Sequence, residues 1–92
     1  MIDIRILGFF QEYTGKNFIQ IEYRKGLTVG EAIKQLSQEL YDYIKKHMEN
    51  AVILVNGVSI NNLKGLDTKL RDGDRLALMP VVGGGITPSQ PT

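Results

Sequence analysis

Cysteine is absent from all 92 residues. That excludes disulfides, thiolate metal sites and a cysteine nucleophile. Excess charge of either sign is absent too: 11 Lys and Arg stand against 10 Asp and Glu, for a formal net charge of +1. So even a balance gives no reason to expect nucleic acid or an acidic membrane as a partner. Long apolar runs are missing, so nothing in the sequence is suited to span a bilayer. Histidine occurs once, at His47 after Lys45 and Lys46. Three basic residues at a helix end complement the helix dipole, which makes His47 a solvated capping residue before it is a catalytic one. The N-terminal "MIDIRILGFF" places Asp3 and Arg5 inside its apolar stretch and reads as a strand, not a signal peptide. The default reading is a soluble cytoplasmic protein of one domain, long enough to bury a modest core without staples.

What is present has a clear order of periods. Residues 2–10 alternate, with Ile2, Ile4 and Ile6 on one face and Asp3, Arg5, Leu7 and Phe9 on the other. Residues 13–17, "YTGKN", form a turn, and residues 17–24 alternate again, which predicts a hairpin. The period then changes. Val29, Ile33, Leu36, Leu40 and Ile44 make one helical stripe, started by a Thr28–Glu31 capping box with Leu27 and Ala32 at the staple positions. Gly30 in the first turn is helix-weakening and suggests close packing of the helix start on the sheet. The apolar run 51–55 predicts a strand buried on both faces or central in its sheet, and Asn56-Gly57 predicts a type I′ turn into a short strand at 58–60. An irregular connection with a helical turn near 66–70 leads to Asp72-Gly73-Asp74, which most simply closes a turn. Residues 75–82 form the last strand, with Leu76 and Leu78 facing in, Ala77 and Met79 facing out, and pairing weakened at Pro80. The predicted fold is α+β: a mixed sheet with one main helix across one face, the first and last strands parallel at its centre. The domain is expected over 1–82, followed by a flexible glycine-rich tail at 83–92.

"TVGEAI" (28–33), "VNG" (55–57) and "LRDGDRLALMPVVGGG" (70–85) resemble the ubiquitin-like sulfur carriers of the MoaD and ThiS family, most closely the small subunit of molybdopterin synthase. The resemblance runs from residue 1 to 85 in element order and implies the β-grasp fold. It implies a protein cosubstrate and not an enzyme, with no bound cofactor and no metal. A ubiquitin-activating-type enzyme, using ATP, would adenylate the terminal glycine. Sulfur would then replace AMP and leave a thiocarboxylate. The family's terminal Gly-Gly falls on Gly84 and Gly85, so Gly85 is the expected carrier residue, with Gly84 in its place if the chain is cut one residue earlier. Glycine suits a tail that threads a narrow channel, because it lacks a Cβ. The implied docking surface for the adenylating enzyme and for the large subunit of molybdopterin synthase comprises Leu7, Phe9, Val58, Met79, Pro80, Val81, Val82 and Gly83.

One departure from the family pattern matters. Ile86 follows Gly85, so Gly85 carries no free carboxylate in this sequence. One reading is that a processing protease removes 86–92. A second is a diverged paralogue, an interaction module without sulfur transfer. A third is that the extra residues were added artificially. A ubiquitin-like modifier linked to lysines is an alternative that needs the same glycine end.

Overall fold

The computed structural model describes residues 1–81. The tail expected at 83–92, and with it Val82, Gly83, Gly84 and Gly85, lies outside the described residues. A five-stranded mixed sheet carries the fold, with spatial order β2-β1-β5-β3-β4. Its strands are β1 (Ile2–Ile6), β2 (Phe18–Ile21), β3 (Ala51–Val55), β4 (Val58–Ser59) and β5 (Arg75–Pro80). β1 and β5 run parallel at the centre, in register Ile4↔Leu76 and Ile6↔Leu78, and every other pair is antiparallel. This is the β-grasp arrangement that the sequence predicts.

Alternation sets the two faces. Ile2, Ile4 and Ile6 of β1, Leu76 and Leu78 of β5, and Ile53 and Val55 of β3 point inward and are buried. Two helices cover them: α2 (Val29–Leu36) and α3 (Gln38–Lys46), which contribute Val29, Ala32, Ile33, Leu40 and Ile44. Burying each such aliphatic side chain is worth roughly 1.5–3 kcal/mol, which makes this layer the principal source of stability.

The expected capping box is present. Thr28 Oγ1 accepts from the Glu31 N–H and Glu31 Oε1 accepts from the Thr28 N–H, both at 3.2 Å. Leu27 and Ala32, at the staple positions, are both buried. Thr28→Ala is expected to cost about 1 kcal/mol, or about 4–8 °C in Tm for a domain of this size; thermal unfolding by circular dichroism checks it.

Six expectations need correction. The single main helix is two helices: Ser37 is extended (φ −167°, ψ 122°), and its Oγ caps α3 by accepting from the Leu40 N–H at 3.1 Å. β1 ends at Ile6, four residues short of the predicted strand. Gly8 takes φ +60°, residues 8–10 form a 3₁₀ turn, and α1 (Gln11–Thr14) follows, ended by Gly15 at φ +72°. The apolar run 51–55 lies inside the sheet between β5 and β4, as one of the two expectations had it, but it is buried on one face only, since Val52 and Leu54 are half-exposed on the outer face. Gly30 packs on the connection and on α3, not on the sheet: a Cβ there would lie 3.3 Å from both the Leu66 carbonyl oxygen and Tyr41 Cε1. The helical turn expected at 66–70 appears as 3₁₀ turns at Ile60–Asn62 and Gly65–Asp67, and β4 stops at Ser59 because Ile60 begins the first of these.

The Asn56-Gly57 turn matches its prediction, with φ +50° and +84°. The structure adds a latch. Asp74 Oδ1 accepts from Asn56 Nδ2 at 2.9 Å, and Asn56 Oδ1 accepts from the Arg75 N–H at 3.0 Å. Asp74 Oδ2 also accepts from the Arg71 N–H at 2.7 Å. The Asp72-Gly73-Asp74 turn thus ties the β3–β4 hairpin to the start of β5 through the Asp74 carboxylate, while the Asp72 carboxylate pairs with the N-terminal amino group of Met1.

Candidate functional site

The site is the point where β5 leaves the sheet toward Gly84 and Gly85. β1 and β3 grip the end of β5 from both sides. On one side the Leu7 N–H donates to the Leu78 carbonyl at 2.9 Å. On the other the Val81 N–H donates to the Asn50 carbonyl at 2.9 Å. Each such bond contributes about 1 kcal/mol net. Pro80 lacks a donor, yet it stays in register opposite Ala51, and the ladder ends there.

Gly8 completes the grip. A Cβ on Gly8 would lie 2.8 Å from Pro80 Cγ and 2.9 Å from Cδ, so the proline ring rests directly on the glycine backbone. Combined with φ +60°, this leaves no room for another residue. Gly8→Ala is expected to lose about 1–2 kcal/mol from the left-handed backbone alone, with a further loss from displacing Pro80. Denaturant unfolding measures the total, and faster hydrogen exchange at the Val81 amide reports the loosened strand end.

The expected docking residues divide. Leu7, Met79 and Val81 fall on the outer face around the strand end: Leu7 and Val81 are 42% and 41% exposed, and Met79 is half-buried opposite Val52. Phe9 is also exposed, but it leaves the outer face because β1 ends before it. Its ring packs edge-to-face on Phe10 and on Tyr43 of α3, with centroids 5.2 and 6.0 Å away. Pro80 is buried on the inner face, so it positions the strand end and offers no contact surface. Val58 is separated from the group. It pairs with Val55 on the inner side of the edge strand β4, so it faces away from Met79. Val82, Gly83, Gly84 and Gly85 lie outside the described residues.

Sequence reasoning missed Gly8, Val52 and the Asn50 carbonyl. The first two left signals. A glycine inside an apparent strand points to a bend or a close backbone approach, and Val52 alternates with the inward Ile53 within the apolar run 51–55. The Asn50 carbonyl left none, because it reaches Val81 only through the 3₁₀ turn after α3. His47 caps α3 and lies 3.9 Å from Glu49, against the Tyr43 ring. Among the described residues no cluster of three or more His, Asp or Glu is arranged to hold a metal, and no helix is long and apolar enough to cross a membrane.

Sheet order and helix placement define a ubiquitin-like protein of the β-grasp fold. Residues 4–85 match the ThiS family, and the chain belongs to that family of ubiquitin-like sulfur carriers. It is similar to small archaeal modifier protein 3 of Haloferax volcanii, with 30% identity over 91% of this chain and 98% of the relative. Among solved structures it resembles a chain of the Amycolatopsis orientalis BexX/CysO complex, at 25% identity and TM-score 0.70, covering 92% of this chain and all of that one. It also resembles a chain in the complex of subunits 1 and 2 of the molybdopterin-converting factor from Helicobacter pylori, at 27% identity and TM-score 0.55, covering 91% and 97%. Members of this family are non-catalytic protein substrates of partner enzymes.

Proposed function

We propose that this protein carries sulfur as a thiocarboxylate on Gly85, formed after residues 86–92 are removed by a processing protease. The observation that carries the reading is the end of the family match at Gly85, five residues beyond the end of β5. In the proposed sequence the Gly85 carboxylate attacks the α-phosphate of ATP on a ubiquitin-activating-type enzyme, and pyrophosphate leaves. The terminal sulfur of a persulfide then attacks the acyl carbon, and AMP leaves. A thiol reductant splits the resulting acyl disulfide and frees the thiocarboxylate. The carrier's own residues bind and aim. Leu7, Met79 and Val81 supply an apolar rim for the enzyme, and Gly8, Pro80 and Asn50 fix the direction in which the tail sets out.

The recipient is proposed to be the precursor of molybdopterin or its tungsten counterpart, with the large synthase subunit docking on the same rim. The likeness to a chain of the converting-factor complex supports this choice. The setting is proposed to be the cytoplasm, where ATP is available.

Because the chain has no cysteine, thiol alkylation gives a clean test. Protein isolated from its host and treated with iodoacetamide near neutral pH is expected to gain one label, located on Gly85. Absence of any label on protein ending at Gly85, under conditions that preserve thiocarboxylates, contradicts the reading.

The name of the Haloferax relative favours a second reading, a modifier joined to lysines. Both readings share the acyl adenylate and differ in the acceptor. Arg75 is the last basic residue before Gly85, so trypsin would leave Leu76–Gly85 on a modified lysine. Peptides bearing that remnant would establish the second reading.

A further inference from the structure

We propose that the outer face of the sheet holds a second docking surface, for an extended acidic peptide segment of a partner protein, with Arg5 and Arg75 as its two anion-binding groups. This inference does not depend on the chemistry at Gly85.

The register builds the surface. Phe18 of β2, Arg5 of β1, Ala77 of β5 and Leu54 of β3 stand side by side in one row across four strands. Arg75 stands in the next row, opposite Asp3. Together they line a groove of about 650 Å³. Ala77 is the smallest side chain of the row and leaves the surface low between Arg5 and Leu54. Phe18 is 42% exposed at one end of the row.

Charge identifies the occupant. Among the described residues neither Arg5 nor Arg75 forms an ion pair. The one carboxylate beside them in the groove, Asp3, is turned to β2, where it accepts from Gln20 Nε2 at 2.7 Å. Arg5 lies over the Phe18 ring at 5.6 Å, which holds its guanidinium in place and leaves its N–H groups available. Two guanidiniums flanking a low apolar surface fit a segment that presents an aliphatic residue between carboxylates, because each guanidinium can take a carboxylate in a two-pronged hydrogen bond. Nucleic acid fits less well, because Phe18 is the only aromatic ring lining the groove and it already carries Arg5, which leaves no free platform for a base.

The test selects binders to the full 92-residue chain from a displayed library of random decapeptides. Enriched peptides are expected to carry Asp or Glu on both sides of Leu, Ile or Val, and to shift the NMR signals of Arg5, Phe18, Leu54 and Ala77. Their affinity is expected to fall about tenfold with Arg75→Gln, further with Arg5→Glu/Arg75→Glu, and with added salt. Arg75→Gln keeps the test valid if the charge-reversed variant fails to fold. Enriched peptides without acidic residues, affinity unchanged by Arg75→Gln, or shifts confined to Leu7 and Val81 overturn the proposal. So does tighter binding of single-stranded oligouridylate at the same residues.

Discussion

Phe10→Ala lowers the stability of the protein by about 3–5 kcal/mol, whereas Phe9→Ala, one residue away, costs less than about 1 kcal/mol. The contrast follows from where β1 ends. Gly8 bends the chain out of the sheet, and the 3₁₀ turn drives Phe10 fully into the core, where it meets Tyr43 edge-to-face at 5.9 Å. Truncating it removes a large apolar area and leaves a cavity between α3 and the end of β1 that the gripped strand ends cannot close. Phe9, in the same turn, is 45% exposed and loses little. For a domain with about 5–15 kcal/mol in total, the Phe10 variant sits near the edge of folding. Urea denaturation measures both values. The m-value is expected to stay constant, since the same surface is exposed on unfolding. Equal costs for the two variants would mean that the turn is not formed as described.

Trimming the chain to end at Gly85 is expected to switch on ATP–pyrophosphate exchange by a ubiquitin-activating-type enzyme, with a rate at least about 10³-fold above that of the 92-residue chain. The size of the effect is chemical. In the longer chain the Gly85 carbonyl is an amide bonded to Ile86, and it has no carboxylate oxygen to attack phosphorus. The proposed rim of Leu7, Met79 and Val81 is the same in both chains, so the longer chain is expected to act as a competitive inhibitor of the shorter one. Gly84→Ala in the shorter chain is expected to cost about 10²-fold in exchange, because a Cβ beside the reacting glycine displaces it from the nucleotide. Equal exchange by both chains would show that the reacting end is elsewhere.

The sheet was legible in the sequence for a simple reason. Strict alternation in Ile2, Ile4 and Ile6 and in Leu76 and Leu78 fixes both inner faces, and the parallel centre follows from the order of the elements. The broken helix was not legible from periodicity. The stripe Val29, Ile33, Leu36, Leu40, Ile44 keeps helical spacing straight through Ser37. The break is local: Ser37 leaves the helical conformation, and its side chain takes the N–H of Leu40 in place of a helical carbonyl. The outward placement of the expected docking residues was partly legible. Leu7 and Met79 follow from alternation alone. Phe9, Pro80 and Val58 do not, because each depends on something beyond period: where a strand stops, which face a proline takes, and which residue a short edge strand pairs with. The glycine end itself was read from its resemblance to a family, and it lies outside the described residues.

The central claim is that Gly85 is the working end of this protein. The most direct measurement is the intact mass of the protein isolated from its native host without exposure to strong nucleophiles. The account predicts a chain of Met1–Gly85, part of it heavier by the difference between one sulfur and one oxygen atom. A population consisting only of chains that still carry Ile86 and the residues after it, under conditions where the pathway is active, would contradict it.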